Sequence, residues 1–237
     1  PRRSDPALSI PLSDREFARA RALILARAGL ALGESKYEMV YSRLVRRLRA
    51  LGLRRFDDYL DLVESAPRGD ESIEFVNALT TNLTSFFRES HHFPVLAAHV
   101  GRCPRSPRIW CAAASTGEEP YAIAMTVDEA LGPAARDAEI VASDIDTRVL
   151  AHAEAGVYAA ERVAALEPAH LSRFFLRGRG NQQGRVRVKP ALRQMVRFMQ
   201  INLQDPSWPL PGPMDAIFCR NVLIYFDRAA QAAIVRR

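Results

Sequence analysis

The chain has 237 residues, 48 % of them hydrophobic and 25 % charged, which are the proportions of a globular protein rather than a disordered one. The net charge of +6 is concentrated: residues 1–60 hold 13 Lys/Arg against 7 Asp/Glu and the remainder balances, which points to an acidic partner for the N-terminal quarter. No uninterrupted apolar run approaches the ~20 residues of a membrane-spanning helix, and the start, PRRSDPALSIPLSD, has no apolar signal-peptide core.

In chain order, the first ~90 residues read as helical. Ser13 followed by Glu16 is a capping box that opens a helix running through Leu30, punctuated by Gly29 and Gly33. A second helix is predicted over 35–51, with Val40, Leu44, Leu48 and Leu51 as its buried stripe and Gly52 as its stop. Arg43, Arg46 and Arg47 lie off that stripe, with Arg49 on its other flank. Helices over 56–65 and 72–79 follow, separated by a break at Pro67, Gly69 and Asp70.

From Arg108 the pattern changes to strands alternating with helices. RIWCAAA, EIVASD, the stretch near Val196–Ile201 and MDAIFCRN read as four strands, and YAIAMTVDEALG and the residues after Thr147 as helices. This alternation predicts a parallel, doubly wound sheet. The stretch 174–192 interrupts it with Gly178, Gly180 and Gly184 and an alternating RVRVK, which predicts a small antiparallel insertion. The expected domains are therefore a helical one over 1–90 and an α/β one over 91–237. Cys103, Cys111 and Cys219 are odd in number and far apart, and His91 and His92 are adjacent, so neither a disulfide framework nor a metal site is expected. The cysteines read as reduced thiols in a cytoplasmic protein, and the histidines as surface or cap residues.

An open parallel sheet binds ligands beyond the carboxyl ends of its strands. After the first strand, STGEEP is neither G-x-G-x-x-G nor a P-loop, and two adjacent carboxylates would repel a pyrophosphate. Acids at a helix N-terminus are favoured by ~0.3–1 kcal/mol, which accounts for Glu118; for Glu119 that role and contact with a ligand's amino group stand equally open. After the second strand, Asp144 is placed to accept ribose hydroxyls and Asp146 to cap the next helix. A ribose-binding acid without a phosphate loop suggests an adenosine without phosphates, and S-adenosylmethionine fits. Asn202 and Leu203 suit the edge and face of adenine, although core packing is the commoner role for Leu203, Val222 and Ile224. The segment TTNLTSFFRE is either a polar linker with a helix cap or part of a site in which Arg88 orients a carboxylate.

Assembled in order, TTNLTSFFRE (80–89), WCAAASTGEEPYAIA (110–124), ASDIDTRVL (142–150), INL (201–203) and DAIFCRNVLIYFD (215–227), with the basic helix YSRLVRRLRALGL (41–53), resemble the CheR-type chemotaxis receptor methyltransferases. The resemblance implies a Rossmann-like S-adenosylmethionine-dependent α/β domain with a small antiparallel β-subdomain, preceded by an all-helical N-terminal domain. It implies a protein-glutamate O-methyltransferase that yields S-adenosylhomocysteine. It also implies cofactor contacts from Asn82, Thr84, Arg88, Glu119, Asp144, Asn202, Leu203, Asn221 and Val222. Tyr225 would lie beside the reacting methyl group, sharing the catalytic role with Arg88. Arg43, Arg46, Arg47 and Arg49 would meet the cytoplasmic helices of methyl-accepting chemotaxis receptors, and the β-subdomain would dock a receptor C-terminal peptide. The protein is expected to be a cytoplasmic monomer recruited to receptor arrays, with no nucleic-acid partner. The sequence stops at Arg237, where the methyltransferase fold continues, so C-terminal strands are expected to be missing. The competing readings are a non-catalytic S-adenosylmethionine-binding adaptor and an RNA methyltransferase.

Overall fold

A computed structural model describes residues 10–237. The chain forms two compact units, one running to Thr81 and rejoined by Leu223–Arg237, the other spanning Asn82–Val222. The segment 82–90 thus belongs with the α/β unit, whereas apolar spacing alone groups it with the helices.

The first unit begins with α1 (Asp14–Ala28), α2 (Tyr37–Leu51, after a 3-10 turn Glu34–Lys36), α3 (Phe56–Ser65) and α4 (Asp70–Leu79). The capping box at α1 forms as expected: the Glu16 N–H donates to the Ser13 hydroxyl at 3.3 Å, and the Ser13 N–H donates to the Glu16 carboxylate at 2.7 Å. The second Glu16 oxygen accepts the Asp57 N–H at 3.1 Å, so one carboxylate ties together the starts of α1 and α3. Glu16→Ala should lower stability by about 1–2 kcal/mol, read as a lower urea midpoint, because it orphans N–H groups at two helix starts.

Val40, Leu44 and Leu48 are fully buried in α2, as their spacing predicts. Leu51 is not: it is 41 % exposed, and Val45 is buried instead. Leu51 is the last helical residue, and Gly52 at φ 70° turns the chain away directly after it.

The second unit starts with α5 (His92–Val100), a helix that apolar spacing did not announce. Then come β1 (Arg108–Cys111), α6 (Glu118–Leu131), β2 (Glu139–Asp144), α7 (Thr147–Ala155), β3 (Val157–Ala159), α8 (Pro168–Phe174), β4 (Phe175–Arg177), β5 (Arg185–Val188), α9 (Pro190–Met195), β6 (Val196–Gln200) and β7 (Ala216–Phe218). The main sheet is parallel, in the order β6-β2-β1-β7. Ile109, Ile140, Ala142 and the α6 residues Ile123 and Met125 form its buried core. The chain moves outward from β1 to β2 to β6 and then returns to the other side of β1, so the switch in strand order lies between β1 and β7. A separate antiparallel sheet has the order β3-β5-β4. The expected insertion over 174–192 contains β4 and β5 but leaves out β3, which completes it.

The chain's last helix, α10 (Arg228–Arg236), is capped by the Asp227 carboxylate and belongs to the first unit. There the Ala31 N–H donates to the Tyr225 carbonyl at 2.9 Å, and the Gln231 amide donates to the carbonyls of Leu223 and Phe226.

Candidate functional site

Strand register brings the predicted residues of the α/β unit to one end of the sheet. Cys111 pairs with Ala142 on one side and Phe218 on the other, and Ala142 pairs with Phe198. Residues 112–119, 143–146, 201–203 and 219–222 therefore leave the sheet at about the same level. The exits are stitched together by backbone: the Ala112 N–H donates to the Phe218 carbonyl at 2.8 Å and the Ala114 N–H to the Ser143 carbonyl at 2.9 Å.

Asp144 holds the β1 exit in shape. Its Oδ2 accepts the Ser115 N–H at 2.8 Å and its Oδ1 accepts the Asp146 N–H at 3.0 Å. Burial pushes its pKa up, against the pull of these N–H groups. Asp146 caps α7, accepting the N–H groups of Arg148 and Val149, and its other oxygen accepts from the Asn82 amide at 2.8 Å. The Ser115 hydroxyl is buried and has no hydrogen-bond partner.

The two acids at the start of α6 have separate partners. Glu118, 1 % exposed, pairs with Arg162 and accepts from the Thr116 hydroxyl at 2.6 Å. Arg162 also donates to the Thr84 carbonyl at 2.7 Å, which pins the 82–85 segment. Glu119 accepts from Arg220 Nη1 at 2.6 Å, and the Cys111 thiol donates to its other oxygen at 3.4 Å. The carboxylate read as a contact for an amino group therefore already has a cation from this chain. Burial raises the Glu119 pKa and the nearby Arg220 opposes the shift.

Arg220 reaches further. Its Nη2 donates to the Arg88 carbonyl at 2.5 Å and lies 3.2 Å from a Glu89 oxygen. Glu89 accepts from the Asn221 amide at 3.1 Å. The bonds from Asn221 and Arg220 hold Glu89 down at about 2. That depressed value stabilises the fold above the ordinary carboxylate range and the contribution is lost as pH falls toward 2. The Arg88 guanidinium donates to the Leu83 carbonyl at 2.9 Å. At the β6 exit, the Ile201 N–H donates to the Asp144 carbonyl at 3.1 Å, Asn202 Oδ1 accepts the Gln204 N–H at 3.0 Å, and Leu203 is buried.

Among the described residues, four that are not glycine have positive φ: Phe87, Glu89, Ser115 and Asn221, at 48–55°. All four lie in the segments just described. Each costs roughly 1–2 kcal/mol of backbone strain, which persists only where the surroundings hold it, and such strain gathers at functional sites.

Asn82, Thr84, Arg88, Glu119, Asp144, Asn202, Leu203, Asn221 and Val222 all lie within the α/β unit. Tyr225 falls in the other unit, on a 3-10 turn Leu223–Tyr225. The four arginines of α2 divide. Arg47 forks onto both oxygens of Glu71 at 3.0 and 2.6 Å, and Arg43 caps α4 by donating to the carbonyls of Ala78 and Thr80. Arg46 and Arg49 remain exposed. Arg220, Glu89 and Arg162 escape a reading from the sequence; the one hint is the position of Arg220 at a strand exit, next to Asn221.

Residues 15–80 match the family described as CheR methyltransferase, all-alpha domain, and residues 82–237 match CheR methyltransferase, SAM binding domain. The chain is 55 % identical over 231 residues to the chemotaxis protein methyltransferase of Klebsiella aerogenes, covering 98 % of this chain and 80 % of that protein. It is 52 % identical to the chemotaxis protein methyltransferase of Escherichia coli, covering 96 % and 80 %. It is 51 % identical to chemotaxis protein methyltransferase 2 of Pseudomonas aeruginosa, covering 94 % and 80 %.

The donor set fits S-adenosylmethionine. The Asp144 carboxylate accepts backbone N–H groups from Ser115, Ile145 and Asp146, and a carboxylate's four lone-pair sites leave it capacity for a ribose hydroxyl. The Ser115 hydroxyl is buried without a partner, and the turn 112–117 that carries it has no Lys or Arg that would favour phosphates. The matches cover both units and the site chemistry agrees with them: this chain belongs to the CheR methyltransferase family, and its α/β unit is an S-adenosylmethionine-binding methyltransferase domain.

Proposed function

We propose that this methyltransferase transfers methyl groups to glutamate carboxylates on the cytoplasmic helices of methyl-accepting chemotaxis receptors, forming glutamyl methyl esters. The observation that carries this reading is the identity of 52–55 % over 96–98 % of the chain with proteins named chemotaxis protein methyltransferase. When bound, S-adenosylmethionine supplies a methyl group activated by its sulfonium. A glutamate carboxylate is ionised at pH 7 and is a nucleophile without a general base. The chain's own task is then to position two reactants and organise charge around them. Asn82, Thr84, Arg88, Glu119, Asp144, Asn202, Leu203, Asn221 and Val222 hold the cofactor. Arg88 also orients the incoming carboxylate, and Tyr225 organises the reacting centre.

The test is transfer of labelled methyl from S-adenosylmethionine to a purified receptor cytoplasmic fragment. A base-labile ester on glutamate is expected. Cofactor binding without transfer, or label in RNA instead, would contradict the proposal.

The exposed Arg46 and Arg49 support docking onto acidic receptor helices. The double charge reversal Arg46→Glu/Arg49→Glu should raise KM for the fragment about fivefold at low salt, and leave the Kd for cofactor unchanged. In the small sheet β4 is an edge strand, onto which an extended receptor C-terminal peptide can add as a further strand. The protein acts as a monomer in the cytoplasm, recruited to receptor arrays.

A further inference from the structure

Arg220 leaves β7 at the switch in strand order, and three groups from two segments of the α/β unit meet on its guanidinium. These are the start of α6 through Glu119 at 2.6 Å, the Arg88 carbonyl at 2.5 Å and the Glu89 carboxylate at 3.2 Å. The guanidinium also lies over the Phe93 ring, 6.0 Å from its centroid. Its side chain is 11 % exposed and that of Glu119 is 10 % exposed. Glu89 passes the contact on to Asn221. Arg220 therefore touches, directly or through Glu89, three residues assigned to the cofactor, and two of its neighbours, Glu89 and Asn221, have strained backbones that something must hold.

We propose that Arg220 is a positioning residue for methyl transfer, which keeps the Glu119 carboxylate charge-matched and fixes the Arg88 backbone and, through Glu89, the Asn221 side chain. The inference deepens the proposed function and rests on the reading that Glu119, Arg88 and Asn221 contact S-adenosylmethionine.

The groups facing Glu119 are Arg220 and Cys219 from the β7 exit, Cys111 from β1 and Glu89 from the 86–90 segment. Burial and the neighbouring Glu119 carboxylate push both thiols up, so they are neutral at pH 7. Glu89 is anionic, and its charge adds to the burial that raises Glu119. Arg220 is the cation in this set. Without it, the buried Glu119 carboxylate loses its compensating cation while the half-exposed Glu89 carboxylate stays nearby, and Glu119 takes up a proton more readily as pH falls. A lysine at 220 restores one positive charge, but its ammonium cannot span three separate oxygens as a planar fork does.

The experiment is calorimetric binding of S-adenosylhomocysteine to the whole chain between pH 6 and 8.5, for wild type, R220Q, R220K, E119Q and E119Q/R220Q. Wild type should bind with a flat profile. R220Q should bind about tenfold more weakly at pH 7 and weaken further with falling pH, by up to about tenfold per unit. E119Q/R220Q should lose that slope. R220K should recover the flat profile but not the affinity, and kcat with a receptor fragment should stay low. A purely structural role predicts equal weakening at every pH and no recovery of the profile by lysine. Wild-type affinity with a flat profile in R220Q would overturn the proposal whatever E119Q does. Wild-type affinity in E119Q would instead overturn the placement of Glu119 in the cofactor site. Should R220Q fail to fold, R220K and the half-exposed variant E89Q decide the matter: weakened binding in both supports the proposal, and wild-type affinity in both overturns it.

Discussion

Arg88→Ala is expected to lower methyl transfer to a receptor fragment about 10²–10³-fold, the usual effect of deleting a charge-stabilising donor from a reacting centre. Stability should change little. The side chain is 34 % exposed; it donates to the nearby Leu83 carbonyl at 2.9 Å and lies 3.8 Å from the carboxylate of its neighbour Glu89. Loss of such a bond costs about 1 kcal/mol. Tyr225→Phe removes only a hydroxyl, so a smaller loss of about tenfold or more is expected, again with an unchanged unfolding midpoint. Steady-state kinetics with calorimetry on the same samples separates the two effects. Near-normal turnover in both variants would remove Arg88 and Tyr225 from the reaction.

The second large effect falls on the turn that carries the acids. Gly117 precedes α6 with φ 97°, a conformation that L side chains rarely adopt. A Cβ there would lie 2.7 Å from the Ala153 Cβ and 2.7 Å from the Tyr158 hydroxyl. Tyr158 is itself held by its bond to the Thr116 carbonyl at 2.7 Å, and Ala153 is fully buried on α7. Neither neighbour can step aside, so Gly117→Ala combines backbone strain with a clash and should cost about 3 kcal/mol or more. Gly52→Ala is the control: φ is 70° but nothing lies within 4 Å, and the expected cost is about 1 kcal/mol. Urea unfolding of the two variants checks the contrast. Equal midpoints would show that the close packing of α7 against this turn does not matter.

What can be read from the sequence follows from what is local. The capping box needs only Ser13 and Glu16, three residues apart, and the structure shows it. The parallel sheet is legible because β1, β2, β6 and β7 carry short apolar runs bounded by turns, and the residues just after them follow from the sheet's architecture. β5 announces itself by the alternation in RVRVK, but its partner β3 has three residues, too few to show a period. The end of α2 is clear from Gly52, yet the exposure of Leu51 depends on what lies opposite, which spacing does not report.

The electrostatics of the site are harder still. Glu119 and Arg220 are 101 positions apart, and no spacing rule links them; the return of the chain to the far side of β1 does. The same holds for Arg162 and Glu118, 44 positions apart. Sequence patterns therefore place the acids that face the cleft, while the cations that make those acids tolerable come from the topology. The division among the α2 arginines has the same origin. All four lie off the apolar stripe, Arg49 on its other flank, and their spacing does not show that Arg43 and Arg47 are taken up by α4, which leaves Arg46 and Arg49 for a partner.

The most direct measurement is a crystal structure of the chain with S-adenosylhomocysteine. The ribose hydroxyls are expected on Asp144, the adenine against Asn202 and Leu203, and the amino-acid end among Arg88, Glu119 and Asn221. An adenosyl group bound away from the exits of β1, β2, β6 and β7, with Asp144 and Glu119 both out of reach, would contradict this placement.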